Sequence, residues 1–233
     1  MNWIAVILGI VIIILLYVLF TYFTTTSTTL SANANLMVSN PNITNILSPK
    51  SARYAYGVFI YVNSWNTTAN KTIFSRAGNI TLRLDTSTPS LYVDITMSDA
   101  STQSILITSN FPIQKWTQVI VSIDNQYVDC YLDGKLVVSK SVSNGGIMPA
   151  TPPDSSAAGA IVLGNPTTSA AYVGFDASIM AFTRWTGPVD PQTAWNSYMS
   201  QSGNGKIANM FSSYGINLNV LQDNVVQSSY RLY

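Results

Sequence analysis

The sequence predicts an all-β fold, a two-sheet antiparallel sandwich with one or two short C-terminal helices, preceded by an N-terminal transmembrane helix. An uncharged apolar run occupies residues 3–23, and short runs of β-branched and aromatic residues separated by turn residues recur from Tyr54 onward. A helix start signal follows at Asp190. These features divide the chain into a membrane helix at 1–23, a linker at 24–52 and a β-sandwich domain at 53–233.

The apolar run is long enough to cross a bilayer as a helix. At about 1.5 Å per residue it would be roughly 30 Å long, the thickness of the hydrocarbon core. A cleaved signal peptide is the alternative, because Ala32-Asn33-Ala34 resembles a cleavage site, but the run exceeds an ordinary signal core and no Lys or Arg precedes it. The first charged residue is Lys50, so the positive-inside rule defines no orientation.

Residues 24–52 are rich in Thr, Ser and Asn and contain two prolines. Such a composition buries little surface and predicts an extended spacer between the membrane and the domain. The stretch Asn35 to Val38 is apolar enough to pair along a sheet edge.

Ten strands are predicted in the domain, enough for two packed sheets. They are Tyr54–Val62, Lys71–Arg76, Ile80–Leu84, Ser90–Met97, Ser104–Thr108, Thr117–Asp124, Tyr127–Leu132, Lys135–Val142, Ala160–Leu163 and Ser178–Thr183.

The best-defined hairpin covers Tyr127 to Val142, where Asp133-Gly134 suits a two-residue turn with positive φ. Cys130 shares a strand face with Val128 and Leu132, which predicts a buried, unreactive thiol. As the only cysteine, it cannot form an internal disulfide.

After the strands, Asp190 as a cap and Pro191 at the first helical position predict a helix. A second short helix is predicted at Ile207 to Ser213, and the tail from Ile216 alternates weakly, as a last strand closing the sandwich would.

The composition excludes several kinds of active site. The sequence contains no histidine, and its ten acidic residues are all aspartate. This excludes Ser-His and Cys-His nucleophilic pairs, His-containing zinc sites and Glu-based glycosidases. With a net charge of +1 and 9% charged residues, a nucleic-acid role is not expected either. We therefore predict no enzyme activity and assign no catalytic, cofactor-binding or metal-binding residue.

Two segments resemble the concanavalin A-like, laminin G-type jelly roll. In the first, Trp116 leads the alternating strand 117–123, and the next strand ends in Tyr131-Leu132-Asp133-Gly134-Lys135. The second comprises 161–164, 174–184 and the capped helix at Asp190. The resemblance covers roughly residues 54–200 and implies the fold, which hosts lectins, hydrolases, adhesion modules and virion components. The hydrolases that it resembles use paired glutamates, which this chain lacks.

The overall layout resembles minor capsid proteins of large icosahedral double-stranded DNA viruses that enclose an internal membrane. This resemblance implies a non-enzymatic structural protein of the virion, held in the bilayer by residues 3–23, that tethers neighbouring capsid or coat proteins. A membrane-displayed lectin or adhesion module that binds glycans is the alternative function. An Asp-only hydrolase is a third hypothesis, and it would need two carboxylates within about 10 Å in one pocket.

Several other residues have the chemistry of a site, and each also has a simpler explanation. Asp124, Asn125, Asp133 and Asp176 lie near predicted turns and have calcium-ligand chemistry, although Asp and Asn favour turns for backbone reasons. The loop at 85–87 and the Gly-Lys sequence at 202–206 resemble a protease loop and a phosphate loop, but both motifs are incomplete.

Four triplets match the N-glycosylation motif, and six tyrosines have the character of a sugar-stacking platform or a protein interface, with core packing as the simpler role. The motifs begin at Asn42, Asn66, Asn70 and Asn79, and the tyrosines are Tyr54, Tyr56, Tyr61, Tyr92, Tyr127 and Tyr131. The lysines expected to report neighbours by cross-linking are Lys71, Lys115, Lys135 and Lys140.

Overall fold

The structure is a computed structural model that describes residue 3 and residues 8–16, 26–67, 70–165, 173–201, 217–222 and 225–231, the last two ranges as backbone only. The strands in these ranges, numbered in chain order, are β1 (Ser27–Asn35), β2 (Arg53–Val62), β3 (Lys71–Arg76), β4 (Ile80–Leu84), β5 (Leu91–Thr96), β6 (Thr102–Thr108), β7 (Thr117–Asp124), β8 (Tyr127–Leu132), β9 (Lys135–Ser141), β10 (Ile161–Leu163), β11 (Ala177–Trp185), β12 (Asn217–Gln222) and β13 (Val225–Arg231). A short 3-10 helix covers Ala157–Gly159, and the α-helix α1 covers Pro191–Gln201. All ten predicted strands are present, with ends shifted by at most two residues.

Two antiparallel sheets form the sandwich, as predicted. The six-stranded sheet has the order β1-β11-β2-β7-β8-β9, and the five-stranded sheet has the order β10-β3-β4-β5-β6. The predicted turn between β8 and β9 is confirmed, since Asp133 and Gly134 have φ values of 46° and 75°. A Cβ on Gly134 would also lie 3.1 Å from Cα of Trp195 in α1, so the absence of a side chain at this position lets α1 pack closely against the turn.

The main core lies between the sheets and explains the alternation along the strands. On β2, Tyr54, Tyr56 and Val58 belong to this core, whereas Ala55 belongs to a second cluster on the opposite face. Cys130 is fully buried in the main core, as predicted. Burial raises the pKa of its thiol to about 12, with the Asp129 carboxylate as the second cause.

The segment predicted as a spacer contributes to the sandwich instead. Ser27–Asn35 forms the edge strand β1, which pairs with β11, and Leu36 and Ile46 are buried in the main core. An edge strand is hydrogen-bonded to a neighbour on one side only and tolerates exposed polar side chains. A polar sequence such as this one therefore lacks the apolar pattern from which a strand is predicted. The prediction of a linker at 24–52 is therefore wrong for the part that forms β1 and for Leu36 and Ile46, which belong to the sandwich.

Two fully buried arginines hold two loop segments against the sheets, one between β1 and β2 and one before β10. Arg76 donates to the carbonyl oxygens of Gly159, Pro49, Pro153 and Asp154 at 2.6–3.2 Å. Arg184 donates in the same way to Leu47 and Ser48. Backbone carbonyls thus replace the water that these charged groups lose on burial.

The C-terminal elements match the prediction in part. Asp190 caps α1, since its carboxylate accepts the Thr193 N–H at 2.9 Å. In the described part of the tail, 217–222 and 225–231, β12 pairs with β13 in a separate two-stranded sheet and not with either sheet of the sandwich. The predicted helix at Ile207 to Ser213 lies outside the described residues.

The predicted membrane helix lies mostly outside the described residues. Within it, residues 8–16 are helical, and most of their large apolar side chains are about half exposed or more. Across the ranges that the structure describes, no helix combines the length and apolarity needed to cross a bilayer.

The two ends of the six-stranded sheet carry different loops. One end contains the start of β1, the start of β2 and the β7–β8 turn, and is named the Tyr127 end. The other contains the end of β1, the start of β7 and the β8–β9 turn, and is named the Asp133 end.

Candidate functional site

The outer face of the six-stranded sheet, which points away from the other sheet, is partly covered by α1 and the segment before it. The hydroxyl of Tyr131 donates to Val189 O at 2.9 Å, and Val189 N donates to the hydroxyl of Ser122 at 2.8 Å. Nearer the Asp133 end, the ring of Phe59 stacks on Tyr198 with centroids 6.4 Å apart. The helix therefore closes the outer face over the central strands and leaves it open beside β1.

An open groove of about 520 Å³ lies on this uncovered part of the face. Small-molecule sites commonly have volumes of about 300–1,000 Å³, so the groove is large enough for a ligand. It is named the outer groove, and its lining residues are Ala32, Asn33, Ala34, Asn35, Trp116, Ser178, Ile179 and Met180.

Strand register brings these residues together from distant parts of the sequence. Asn35 pairs with Ser178, and Ser178 pairs with Tyr61, so the three lie in one row across β1, β11 and β2. Asn33 pairs with Met180 in the next row. Directly paired residues share a sheet face, so this register places two amides, a hydroxyl and a thioether side by side.

Trp116 forms the aromatic part of the groove. Its ring lies 5.4 Å from the ring of Tyr61 at an angle of 48°, and 39% of the residue is exposed. The preceding residues are tied to the end of β2, because Gln114 N donates to Val62 O and its side-chain amide donates to Asn63 O. The indole is thus held by Tyr61 and this loop while part of its surface stays open to solvent.

A second groove of about 360 Å³ continues along β1 toward the Tyr127 end, between β1 and α1. Its lining is rich in hydroxyl and amide groups and comprises Ser27, Thr29, Thr183, Trp185, Thr193, Asn196, Ser197, Ser200 and Gln201. None of the described residues lining either groove carries a charge. The two grooves present neutral hydrogen-bonding groups along one strand.

The four residues considered for calcium do not converge. Asp124 and Asn125 lie at the Tyr127 end, whereas Asp133 and Asp176 lie at the Asp133 end. Asp124 pairs with Arg53 at 2.9 Å, and Asp133 pairs with Lys115 at 3.3 Å. Within the described ranges, no three His, Cys, Asp or Glu side chains are grouped to hold a metal ion.

The carboxylates of Asp176 and Asp85 accept hydrogen bonds as well. Asp176 accepts hydrogen bonds from Asn63 at 2.9 Å and Ser64 at 2.7 Å. Asp85 accepts from the backbone N–H and hydroxyl groups of Ser87 and Thr88, and these bonds lower the pKa of its carboxyl. The bonds of Asp85 are the turn chemistry expected for aspartate, whereas those of Asp176 join it to the segment after β2. The Gly-Lys sequence at 202–206 lies outside the described residues.

Most of the tyrosines considered as a platform have packing roles or lie far from the groove. Tyr54, Tyr56 and Tyr131 are at most 2% exposed, which agrees with the simpler role. Tyr127 is 53% exposed at the other end of the sheet. Of the six, Tyr61 contributes to the aromatic part of the outer groove, through its contact with Trp116.

Two further sequence interpretations are corrected by burial. Asn79, which begins a glycosylation motif, is 2% exposed, and its amide donates to the Tyr54 hydroxyl at 2.7 Å. Lys71, expected to be open to cross-linking, is also 2% exposed, and its ammonium group donates to Thr86 O and lies over the ring of Trp65. The motifs at Asn42, Asn66 and Asn70 are on exposed residues.

The outer groove was not predicted from the sequence. Trp116 was noted for its place before β7, but its partners in the groove lie about 60–80 positions away and are brought near by strand pairing. The alternation Asn33-Ala34-Asn35, typical of an edge strand with a polar outer face, is the one local signal from which the polar lining could have been inferred.

Comparison with known proteins supports the fold. The sequence model of the family described as the concanavalin A-like lectin/glucanases superfamily matches residues 30–203. A search of curated proteins finds no match to this chain.

Among solved structures, the binding domain of botulinum neurotoxin serotype D is similar, with a TM-score of 0.57 and 14% identity over 73% of this chain and 43% of that one. The serotype D ligand-binding domain in complex with N-acetylneuraminic acid gives a TM-score of 0.54 and 15% identity, over 73% and 42%. The chain thus spans less than half the length of these structures, and at such identities the likeness concerns the fold.

Proposed function

Because the chain belongs to the concanavalin A-like lectin/glucanase superfamily, we propose that its sandwich is a non-enzymatic glycan-binding module whose ligand occupies the outer groove. The observation that carries the proposal is that the partly exposed indole of Trp116 lines the same groove as Asn33 and Asn35. An aromatic ring packs against the apolar face of a sugar, and amides exchange hydrogen bonds with its hydroxyl groups.

The ligand proposed is a neutral oligosaccharide. The solved serotype D domain binds an acidic sugar, N-acetylneuraminic acid, whereas the described lining of both grooves here is uncharged. A carboxylate on the ligand would therefore lose water without gaining a cationic partner. Since the two grooves follow β1 on the same face, a chain of several sugars fits better than a single terminal one.

The absence of catalysis is part of the proposal. The grooves contain no carboxylate among their described residues, and the sequence has no glutamate. Glycoside hydrolysis ordinarily requires two carboxyl groups flanking the scissile bond. Binding without turnover is the outcome that this composition favours.

We also propose that residues 3–23 anchor the module in a membrane as a single-pass protein. The run is uncharged and long enough for the hydrocarbon core, and its described helical part, residues 8–16, exposes large apolar side chains. Such exposure is costly in water and favourable in lipid.

The second candidate is a structural tether, with the chain as a minor capsid component between a virion's internal membrane and its protein shell. The edge strand β9 favours it, because Leu136 and Val137 are 47% and 45% exposed there and, among the described residues, no further strand pairs with this edge. Cross-links from Lys115, Lys135 and Lys140 to coat proteins would support this role over glycan binding.

A glycan array tests the leading proposal. The full chain in lipid nanodiscs is expected to bind neutral oligosaccharides, and Trp116→Ala is expected to lose roughly tenfold or more in affinity. Tyr127→Ala is the matched control, since it removes an exposed aromatic residue at the other end of the same sheet. Equal binding by the two variants, or no binding by the parent chain, would contradict the proposal.

A further inference from the structure

The chain enters the sandwich at the Tyr127 end, directly after the apolar run. Ser27, the first residue of β1, pairs with Trp185, the last residue of β11. In the sequence, residues 24–26 alone separate Phe23 from Ser27. An extended chain covers at most about 3.6 Å per residue, so this link reaches roughly 14 Å.

The outer groove lies toward the opposite end of the sheet. Asn35, which lines it, is eight residues beyond Ser27 on the same strand, a distance of roughly 27 Å at about 3.4 Å per residue. Trp116 immediately precedes β7 at the same Asp133 end. The link, roughly 14 Å at most, is shorter than the roughly 27 Å from Ser27 to Asn35. It therefore keeps the Tyr127 end of the sheet closer to the bilayer than the Asp133 end.

The exposed residues at the Tyr127 end suit a lipid headgroup layer. Tyr127 is 53% exposed, the Arg53 side chain is 58% exposed although it pairs with Asp124, and Lys50 is exposed on the segment before β2. Tyrosine favours the membrane interface, and long basic side chains extend their charge into the headgroup region.

We infer that the sandwich stands on its own bilayer through the Tyr127 end, with the loops of that end against the lipid headgroups and the outer groove facing away. This inference rests on the membrane anchor proposed above and does not depend on the identity of the glycan. Its consequence is that the groove binds ligands in solution or on an opposing surface, and not glycolipids of the membrane in which the chain is anchored.

Two cysteine variants of the full chain test this orientation. Tyr127→Cys places a label at the Tyr127 end. Ser109→Cys places one on an exposed residue of the loop from β6 to β7, which reaches the Asp133 end where Gln114 N donates to Val62 O. Native Cys130 is buried and stays in place in both. Each variant carries the same fluorophore in phosphatidylcholine vesicles that contain lipids with a spin-labelled headgroup, which quench nearby fluorophores.

The label at position 127 is expected to lose most of its fluorescence, and the label at 109 is expected to lose little. Insertion of about 20 Gly and Ser residues after Thr24 lengthens the link and is expected to remove most of the difference. Equal quenching at both positions, stronger quenching at 109, or quenching at 127 that persists after the insertion would overturn the inference. If the chain does not float with vesicles in a density gradient, the anchor itself fails and the inference with it.

Discussion

The ring of Trp116 lies 5.4 Å from the ring of Tyr61, with their planes at 48°. Tyr61 belongs to the second strand of the sandwich, and Trp116 precedes the seventh, so the contact joins distant segments, with β11 between them and the edge strand β1. It holds an indole partly open to solvent beside two amides, which is the basis of the glycan site proposed here.

The buried guanidinium of Arg76 is expected to be essential for stability. Arg76→Met leaves the carbonyl oxygens of Gly159, Pro49, Pro153 and Asp154 without this donor, and we expect a loss of about 3 kcal/mol in the free energy of unfolding. Denaturant titration of the full chain in detergent measures it. Arg83→Met is the control, since the partly exposed Arg83–Asp94 pair should contribute about 1 kcal/mol or less. Similar losses in both variants would contradict this account.

Gly57 is expected to tolerate no side chain. A Cβ at this position would lie 2.7 Å from the Trp185 ring and 3.2 Å from Ile120. Because Trp185 is packed in the cluster beneath α1, Gly57→Ala should lower the unfolding free energy by about 2 kcal/mol through overpacking. Gly187→Ala, whose Cβ meets no atom within 4 Å, should change the melting temperature little. An unchanged melting temperature for Gly57→Ala would show that this contact is not as tight as described.

Glycosylation should distinguish the sequence motifs by burial. When the chain is expressed in a secretory pathway that modifies Asn-X-Ser/Thr motifs, folded protein is expected to carry no glycan at Asn79, which bonds Tyr54 in the interior. The exposed Asn42 serves as the internal positive control in the same glycopeptide mass spectrum. Modification of Asn79 in folded protein would be incompatible with its buried position.

Stability is expected to fall in alkaline solution. Burial raises the pKa of Cys130 to about 12 and also raises that of Tyr54, so the folded state retains protons that the unfolded chain releases from about pH 8.5 for Cys and about pH 10 for Tyr. The contribution of each group is fully present below its unfolded pKa and decreases as the pH rises through this range. Denaturant titrations between pH 7 and 10 should show that the free energy of unfolding decreases. In Cys130→Ala, the part of this decrease that begins at about pH 8.5 should be smaller. If the free energy of unfolding decreases by the same amount in Cys130→Ala and in the parent chain, groups other than Cys130 cause the decrease.

The sequence predicted the strands of the core well and the edge of the sandwich poorly. Most strands from β2 to β11 contain the buried apolar residues that a two-sheet core requires, and their ends are predicted to within two residues. The edge strand β1 has mostly Thr, Ser, Asn and Ala, so its hydrophobic pattern is weak and its tertiary pairing with β11 decides its structure.

The candidate site could not be predicted from the sequence, because its residues are brought together by the order of the strands in the sheet. Asn35 and Trp116 are 81 positions apart in the sequence and share a groove only because β1, β11 and β2 are neighbours. The burial of Arg76 and Lys71 was equally hidden, since charged residues are usually exposed and their carbonyl partners come from distant loops.

A structure of the full chain with a neutral oligosaccharide from the array tests the central claim most directly. The account predicts a sugar ring packed on the exposed face of Trp116, with hydroxyl groups bonded to Asn33 or Asn35 and further sugars following β1. A ligand bound through the loops of the Tyr127 end, with the outer groove empty, would contradict it.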